Sequence, residues 1–250
     1  MPEMKPQILR FDSLPSTNDE VARQAALGAD EGLCVIAAEQ TAGRGRFERA
    51  WVSPKNTGLY LSILLRPALD QRSWPLTTFV AALAVSDALL QCCNLETDIK
   101  WPNDILANDR KLCGILAETV EASAGRAVVV GIGINMKKDS FPVELKSVAT
   151  AVETETGQVL ETDSLLEPLL GAFGKHYQIL QQAGGNEDIV SEVAARSSYA
   201  QNKRIRVNDA GGSLVGITRG LESDGSLRVE TDDGKVKTIW AGDVTVVRAA

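Results

Sequence analysis

The sequence predicts a mixed α/β (α+β) domain followed by a small closed β-barrel. Three observations carry that expectation. Up to about residue 197, stretches with helical periodicity alternate with β-rich apolar runs. After Ser198 the texture changes to short alternating strands separated by turns of glycine, aspartate and asparagine. No internal repeat or low-complexity tract interrupts the 250 residues, so the expected boundaries are 1–197 for the large domain and 198–250 for the module.

The elements follow in order. "QILRFDSL" is a short strand, and "PSTNDEVARQAALGA" is a helix. Ser16 or Thr17 supplies its N-cap, Thr17 and Glu20 have capping-box spacing, and Gly28 stops it. "LCVIAAEQ" and "GLYLSILLRP" are strands on either side of a polar loop, and "LTTFVAALAVSDALLQCC" is a helix of good helix formers. "TDIKW", "DILAND" and "KLCGILAETVEA" are strands joined by tight turns, one of them "NDR". "RAVVVGIGINMK" reads as a strand buried on both faces. Helices follow in "TDSLLEPLLGAFGKHYQILQQ" and "EDIVSEVAARS". The strands "KRIRVND", "SLVGITRGLE", "SLRVETDD" and "KVKTIWAGDVTVV", with turns "NDAGG", "SDG" and "DDG", make the barrel.

Composition narrows the function. A hydrophobic fraction of 44% supports a sizeable core, while the net charge of -7 argues against broad nucleic-acid binding. About fifteen residues precede the first helix signal, too few for a helix-turn-helix, so no DNA reader is expected there. No apolar run is read as long enough for a bilayer, and "MPEMKPQILRF" lacks the apolar centre of a signal peptide, so the expectation is a cytoplasmic protein without membrane attachment. Cys34, Cys92, Cys93 and Cys113 have no metal-site or redox-motif spacing and read as free thiols. His176, the single histidine, lies in an amphipathic helix, so a histidine-based triad has little to rest on.

The chemistry gathers in "AEQTAGRGRFERAW", where Arg44, Arg46 and Arg49 alternate with glycines in an otherwise acidic chain. Glycines let a backbone approach a ligand, and arginines are forked donors for carboxylates and phosphates. Trp51 adds an apolar plate that can cover a ring. "KWPNDI" sets Asn103 and Asp104 at a proline-fixed corner, suited to a metal-bound phosphate, a ribose or simply a turn. Strand alternation places Lys111 with Cys113 and Ile115 on one face, opposite Leu112, Gly114 and Leu116. Gly131 and Gly133 in "VVVGIGIN" do not make a dinucleotide fingerprint, because Met136 stands at the last glycine's place and no helix opens there.

Together "STN" at 16–18, "EQTAGRGR" at 39–46, the W-x-S-P from Trp51, "KWPNDI", "KLCGILAE" and "GIGIN" resemble the biotin protein ligase family over nearly the whole chain. The resemblance implies a catalytic domain like that of class II aminoacyl-tRNA synthetases and a C-terminal SH3-like barrel. It implies activation of biotin by ATP, with Mg²⁺, to biotinyl-5′-AMP, and transfer to a lysine of a biotin carboxyl carrier protein, that of acetyl-CoA carboxylase or a related carboxylase. Ser16, Thr17, Asn18, Gln40, Arg44 and Gly45 would then bind biotin. Arg46 and Lys111 would serve both substrates and catalysis. Arg49, Trp51, Asn103 and Asn135 would face the nucleotide, and Asp104 would assist the metal. Glu48 departs from the family, which often has glycine there. The alternatives are a lipoate or octanoate ligase on the same fold and a biotin-binding regulator that makes no adenylate. Exposed sheet edges permit a homodimer.

Overall fold

The structure, a computed structural model, describes residues 6–209 and 212–247. The first five residues of "MPEMKPQILRF" and the centre of the "NDAGG" turn lie outside the described residues. A seven-stranded sheet organises the large domain, in the order β1 (Gln7–Phe11), β2 (Leu33–Ala37), β3 (Gly58–Leu65), β7 (Gly125–Asn135), β6 (Arg110–Ala122), β5 (Asp104–Ala107) and β4 (Asp98–Lys100). Only β1 and β2 pair in parallel; every other neighbour is antiparallel.

Helices cover both faces. α1 (Thr17–Ala26) presents Val21 and Ala25 to Leu33, Val35, Leu64 and Val129. The opposite face carries α2 (Thr77–Cys93), α4 (Thr162–Leu180) and α5 (Gly185–Ala195) over the larger core. α2 has apolar residues all round and is correspondingly buried, from Phe79 through Val85. The stretch Gln71–Cys93 is long and apolar enough, by length and composition alone, to cross a membrane. That corrects the reading that no run reaches such a length; here most of it is buried in the core.

Two local expectations change. Ser16, not Thr17, caps α1, accepting from the Asp19 amide at 3.3 Å. The Thr17–Glu20 capping box does not form. Thr17 Oγ1 is drawn to Gln40 and Ser62, while Glu20 holds Arg23 and Gln24. Gly28, at φ +97, does stand just beyond the helix end. A short helix α3 (Val152–Thr156), absent from the sequence reading, is tied to the start of β6 by Arg110–Glu155 at 2.7 Å.

The C-terminal module is antiparallel, in the order β11 (Val236–Ile239), β10 (Leu227–Thr231), β9 (Gly212–Leu221), β8 (Gln201–Asp209) and β12 (Asp243–Val246). Closure is not reached: β11 and β12 are the two edges of an open sheet among the described residues. Only Trp240–Gly242 joins them, so the sheet curls until its edges stand within about 14 Å. The module rests on the large domain through Trp101 Nε1, which donates to the Gly225 carbonyl at 2.9 Å. Ile205, Val207, Leu227 and Val229 join the main core.

Candidate active site

A cleft of about 280 Å³ opens on the α1 face of the sheet. Its floor is made by alternate residues of β6 and β7. Gly114 pairs with Gly133, and Leu116 with Gly131, in register. The glycines make room for side chains from elsewhere. A Cβ on Gly131 would lie 2.3 Å from Asn18 Oδ1, and one on Gly133 would lie 2.5 Å from Trp51 Nε1. The "GIGIN" spacing therefore hollows one face of a buried strand.

The inner wall is polar, uncharged and buried. The Thr17 amide donates to Gln40 Oε1 at 2.8 Å, and the Thr17 hydroxyl lies 3.0 Å from the same oxygen. The Ser62 hydroxyl faces Thr17 Oγ1 at 2.7 Å and Asn18 Oδ1 at 2.6 Å. Ser16, Thr17 and Asn18 are buried because α1 begins against the sheet at this point. These groups hold one another in place before any ligand arrives.

Cations crowd the outer end. Arg44 pairs with Asp19 at 2.5 Å and Glu118 at 3.5 Å, and Arg49 with Asp243 at 2.7 Å. Lys111 Nζ lies 2.6 Å from Asp104 Oδ1 and 5.3 Å from the Trp51 ring centroid. Arg46 differs: it donates to neutral acceptors, Asn103 Oδ1 at 3.3 Å and the Gly242 carbonyl at 3.2 Å. Burial lowers its pKa, opposed by the charges of Asp104 and Asp243. It stays cationic, since an arginine starts above about 12. Two buried donors in this cleft, Arg44 Nε and Trp51 Nε1, have no partner among the described residues. A ligand with acceptor atoms would satisfy them.

Lys111 is on the face opposite to the one expected. The β5–β6 ladder slips between Ile105–Cys113 and Leu106–Lys111, so Leu112 is an extra residue on β6. Leu112 and Cys113 both enter the core. The bulge turns Lys111 to the side of Gly114, where its Nζ would be 3.3 Å from a Cβ. Its backbone is fastened to the segment before α3, with Lys111 N donating to Val148 O at 2.8 Å and Thr150 N to Lys111 O at 2.9 Å.

Every site residue named from the sequence lines this cleft: Ser16, Thr17, Asn18, Gln40, Arg44, Gly45, Arg46, Arg49, Trp51, Asn103, Asp104, Lys111 and Asn135. Asn103 and Asn135 also fasten neighbouring backbone. Asn103 Nδ2 donates to Ile115 O at 2.7 Å, and Asn135 Nδ2 to Thr150 O at 2.9 Å. His176 is buried elsewhere, 2.7 Å from Asp87, and the four cysteines are free thiols. The sequence reading missed Phe141, Leu145 and Val148, which form an apolar rim, and Asp243 and Glu118, which hold the arginines. Gly131 and Gly133 are legible as the "GIGIN" part of the family resemblance, without the role of making room for Asn18 and Trp51.

The Biotin/lipoate A/B protein ligase family model matches residues 10–135, and the biotin protein ligase C terminal domain model matches 201–247. The biotin–[acetyl-CoA-carboxylase] ligase of Mycobacterium tuberculosis is 34% identical over 239 residues, covering 93% of this chain and 86% of its own.

The chain belongs to the biotin protein ligase family.

Among other members, the bifunctional ligase/repressor BirA of Bacillus subtilis is 34% identical over 244 residues, 96% of this chain and 74% of that protein. The biotin protein ligase of Aquifex aeolicus, solved with biotin and ATP, superimposes with a TM-score of 0.84 at 26% identity, over 97% of this chain and 99% of that one. The family's two matched regions correspond to the large sheet and the C-terminal one, and the cleft lies where the first meets Asp243 of the second.

Proposed function

We propose that this protein is an ATP-dependent biotin–protein ligase of the cytoplasm, in which residues 1–197 form the catalytic domain and 198–250 the module that completes its cleft. The observation that carries the reading is the pairing, in one cleft, of a buried uncharged wall with four cations at its mouth. That polarity suits an elongated acid with a neutral ring at one end and a carboxylate at the other. The names of its relatives supply the acid, biotin.

The chemistry then has two steps. A carboxylate oxygen of biotin attacks the α-phosphorus of ATP, pyrophosphate departs, and biotinyl-5′-AMP forms. The neutral ε-amine of a carrier lysine attacks the acyl carbonyl, AMP departs with the bonding pair, and the amine's proton passes to solvent. In the first step two anions approach, and fixed cations lower that barrier. Lys111 is the group that bridges carboxylate and α-phosphate, and Arg46, free of a carboxylate partner among the described residues, is the second. Gly45 and its neighbours let the loop open for substrates and shield the anhydride from water once shut. Thr17, Asn18 and Gln40 hold the ring, and Trp51 and Arg49 border the nucleotide.

No group of three or more His, Cys, Asp or Glu side chains arranged to hold a metal ion is present among the described residues. Among the described residues, Asp104 is the one carboxylate paired with Lys111 in the cleft. A single carboxylate fits Mg²⁺ carried by ATP, whose phosphates and waters supply the other ligands. The acceptor is a biotin carboxyl carrier domain of acetyl-CoA carboxylase or a related carboxylase. The edge β1 is the surface on which two copies would pair, since the edge of β4 is occupied by the segment after α5, Ile99 N donating to Arg196 O at 3.0 Å.

Intact-mass analysis of a carrier domain incubated with the protein, biotin and Mg·ATP tests the reading. One biotinyl amide on one lysine is expected. An unmodified carrier beside consumed ATP would leave adenylation without transfer, and no consumption at all would overturn the proposal.

A further inference from the structure

A hydrogen-bond chain runs beneath the cleft from one end of the glycine–arginine loop to the other. Arg44 Nη2 lies 3.5 Å from Glu118 Oε2, and the same oxygen accepts from Asn18 Nδ2 at 2.6 Å. Asn18 Oδ1 and Thr17 Oγ1 both face the Ser62 hydroxyl. The Thr17 amide donates to Gln40 Oε1, Gln40 Nε2 to Ser53 Oγ, and Ser53 Oγ to the Trp51 carbonyl, at 2.8, 3.0 and 3.2 Å. Arg44 and Trp51 both belong to the loop; the links between them belong mostly to the body.

The chain has a direction, and Glu118 sets it. An amide or hydroxyl can donate or accept, so Asn18, Ser62, Thr17 and Gln40 could each be turned around. An ionised carboxylate only accepts. Facing Glu118, Asn18 must present Nδ2, which leaves Oδ1 toward Ser62 and obliges that hydroxyl to donate to it, so the Thr17 hydroxyl in turn donates to Ser62 Oγ. Asn18 Nδ2 also reaches the Leu116 carbonyl at 3.3 Å, a second acceptor that agrees with the first.

We propose that Glu118 is a positioning residue that couples occupancy of the polar wall to closure of the loop, by orienting Asn18 with one oxygen and holding Arg44 with the same one. This rests on the reading that the wall binds biotin. A ligand that stabilises Asn18 in this orientation stabilises the closed loop, and the closed loop tightens the ligand by the same factor. Asp19 is the internal comparison. Its carboxylate holds Arg44 from outside and has no partner on the wall among the described residues.

Trypsin reads the loop, because Arg44, Arg46 and Arg49 are cleavage points. The cleavage rate is measured with and without saturating biotin for the parent, Glu118→Gln, Ser62→Ala and Asp19→Asn, together with the biotin affinity of each. Biotin is expected to slow cleavage several-fold in the parent. Asp19→Asn should be cut faster in both states with that ratio kept. In Glu118→Gln the ratio should fall to about one and biotin should bind about tenfold more weakly, raising KM more than it lowers kcat. Ser62→Ala, which breaks the chain at its middle, should lower the ratio too. The parental ratio in both Glu118→Gln and Ser62→Ala overturns the coupling, as does equal loss in Asp19→Asn, which would make any anchor of Arg44 sufficient. A parent that does not bind biotin removes the underlying reading instead.

Discussion

The indole of Trp51 occupies the space that a side chain at position 133 would need. A Cβ there would stand 2.5 Å from Nε1 and 2.6 Å from Cε2. Gly133→Ala must therefore push the indole off the sheet. The overpacking should cost about 1–3 kcal/mol of stability, read from the denaturant midpoint. Nucleotide binding should weaken more than biotin binding, since Asn18 sits over Gly131 instead. Calorimetric titration of both ligands checks the order.

Lys111 reaches the cleft only because Leu112 bulges out of the β5–β6 register. If the ammonium stabilises charge growing between carboxylate and phosphate, Lys111→Ala should lower adenylate formation by about 100-fold. Biotin affinity should change far less. Equal losses in both quantities, from rapid-quench and equilibrium measurements, would assign Lys111 to ground-state binding.

Glu48 stands at φ +55 in the arginine loop, beside Phe47 at +54. The left-handed conformation costs a non-glycine residue roughly 1–2 kcal/mol, a cost that glycine would not carry. Glu48→Gly relieves that strain but gains unfolded-state entropy, so a stabilisation of about 0.5 kcal/mol or less is expected. Loss of the negative charge should tighten ATP binding. A destabilised variant with weaker ATP binding would contradict both arguments.

Three helices meet at Asp87, which contacts His176 Nε2 at 2.7 Å and Arg196 Nη1 at 2.5 Å. Burial pulls its pKa upward, but the hydrogen bonds and charges of these partners outweigh that and leave it below the usual carboxylate value. Its contribution to stability is present above the unfolded pKa near 4 and is lost as pH falls through the lower folded value. Asp87→Asn should lower the melting temperature at pH 7 and narrow the gap to the parent as the pH drops below 4. A gap that stays constant down to pH 2 would contradict the assignment.

What the sequence made legible was the chemistry carried on short contiguous stretches. The Arg44–Trp51 loop, the Asn103–Asp104 corner and Lys111 are each local patterns, and they line one cleft. What it hid depends on register and on partners far along the chain. The bulge at Leu112 reverses the face of Lys111, and no alternation rule anticipates an extra residue. Thr17 looked like a cap because its competitors for the hydroxyl, Gln40 and Ser62, are 23 and 45 residues away. The open edge between β11 and β12 was invisible for a similar reason. The link between those strands gives the Gly242 carbonyl to Arg46, and the first residue of β12 gives the Asp243 carboxylate to Arg49.

The most direct measurement is ATP–pyrophosphate exchange by the purified protein, with biotin, lipoate and octanoate compared in parallel. A buried polar wall ending in cations predicts exchange with biotin and little with the two acids that lack a ureido ring. Exchange driven by lipoate or octanoate would move the substrate, and biotin binding without any exchange would contradict the claim that this cleft makes an adenylate.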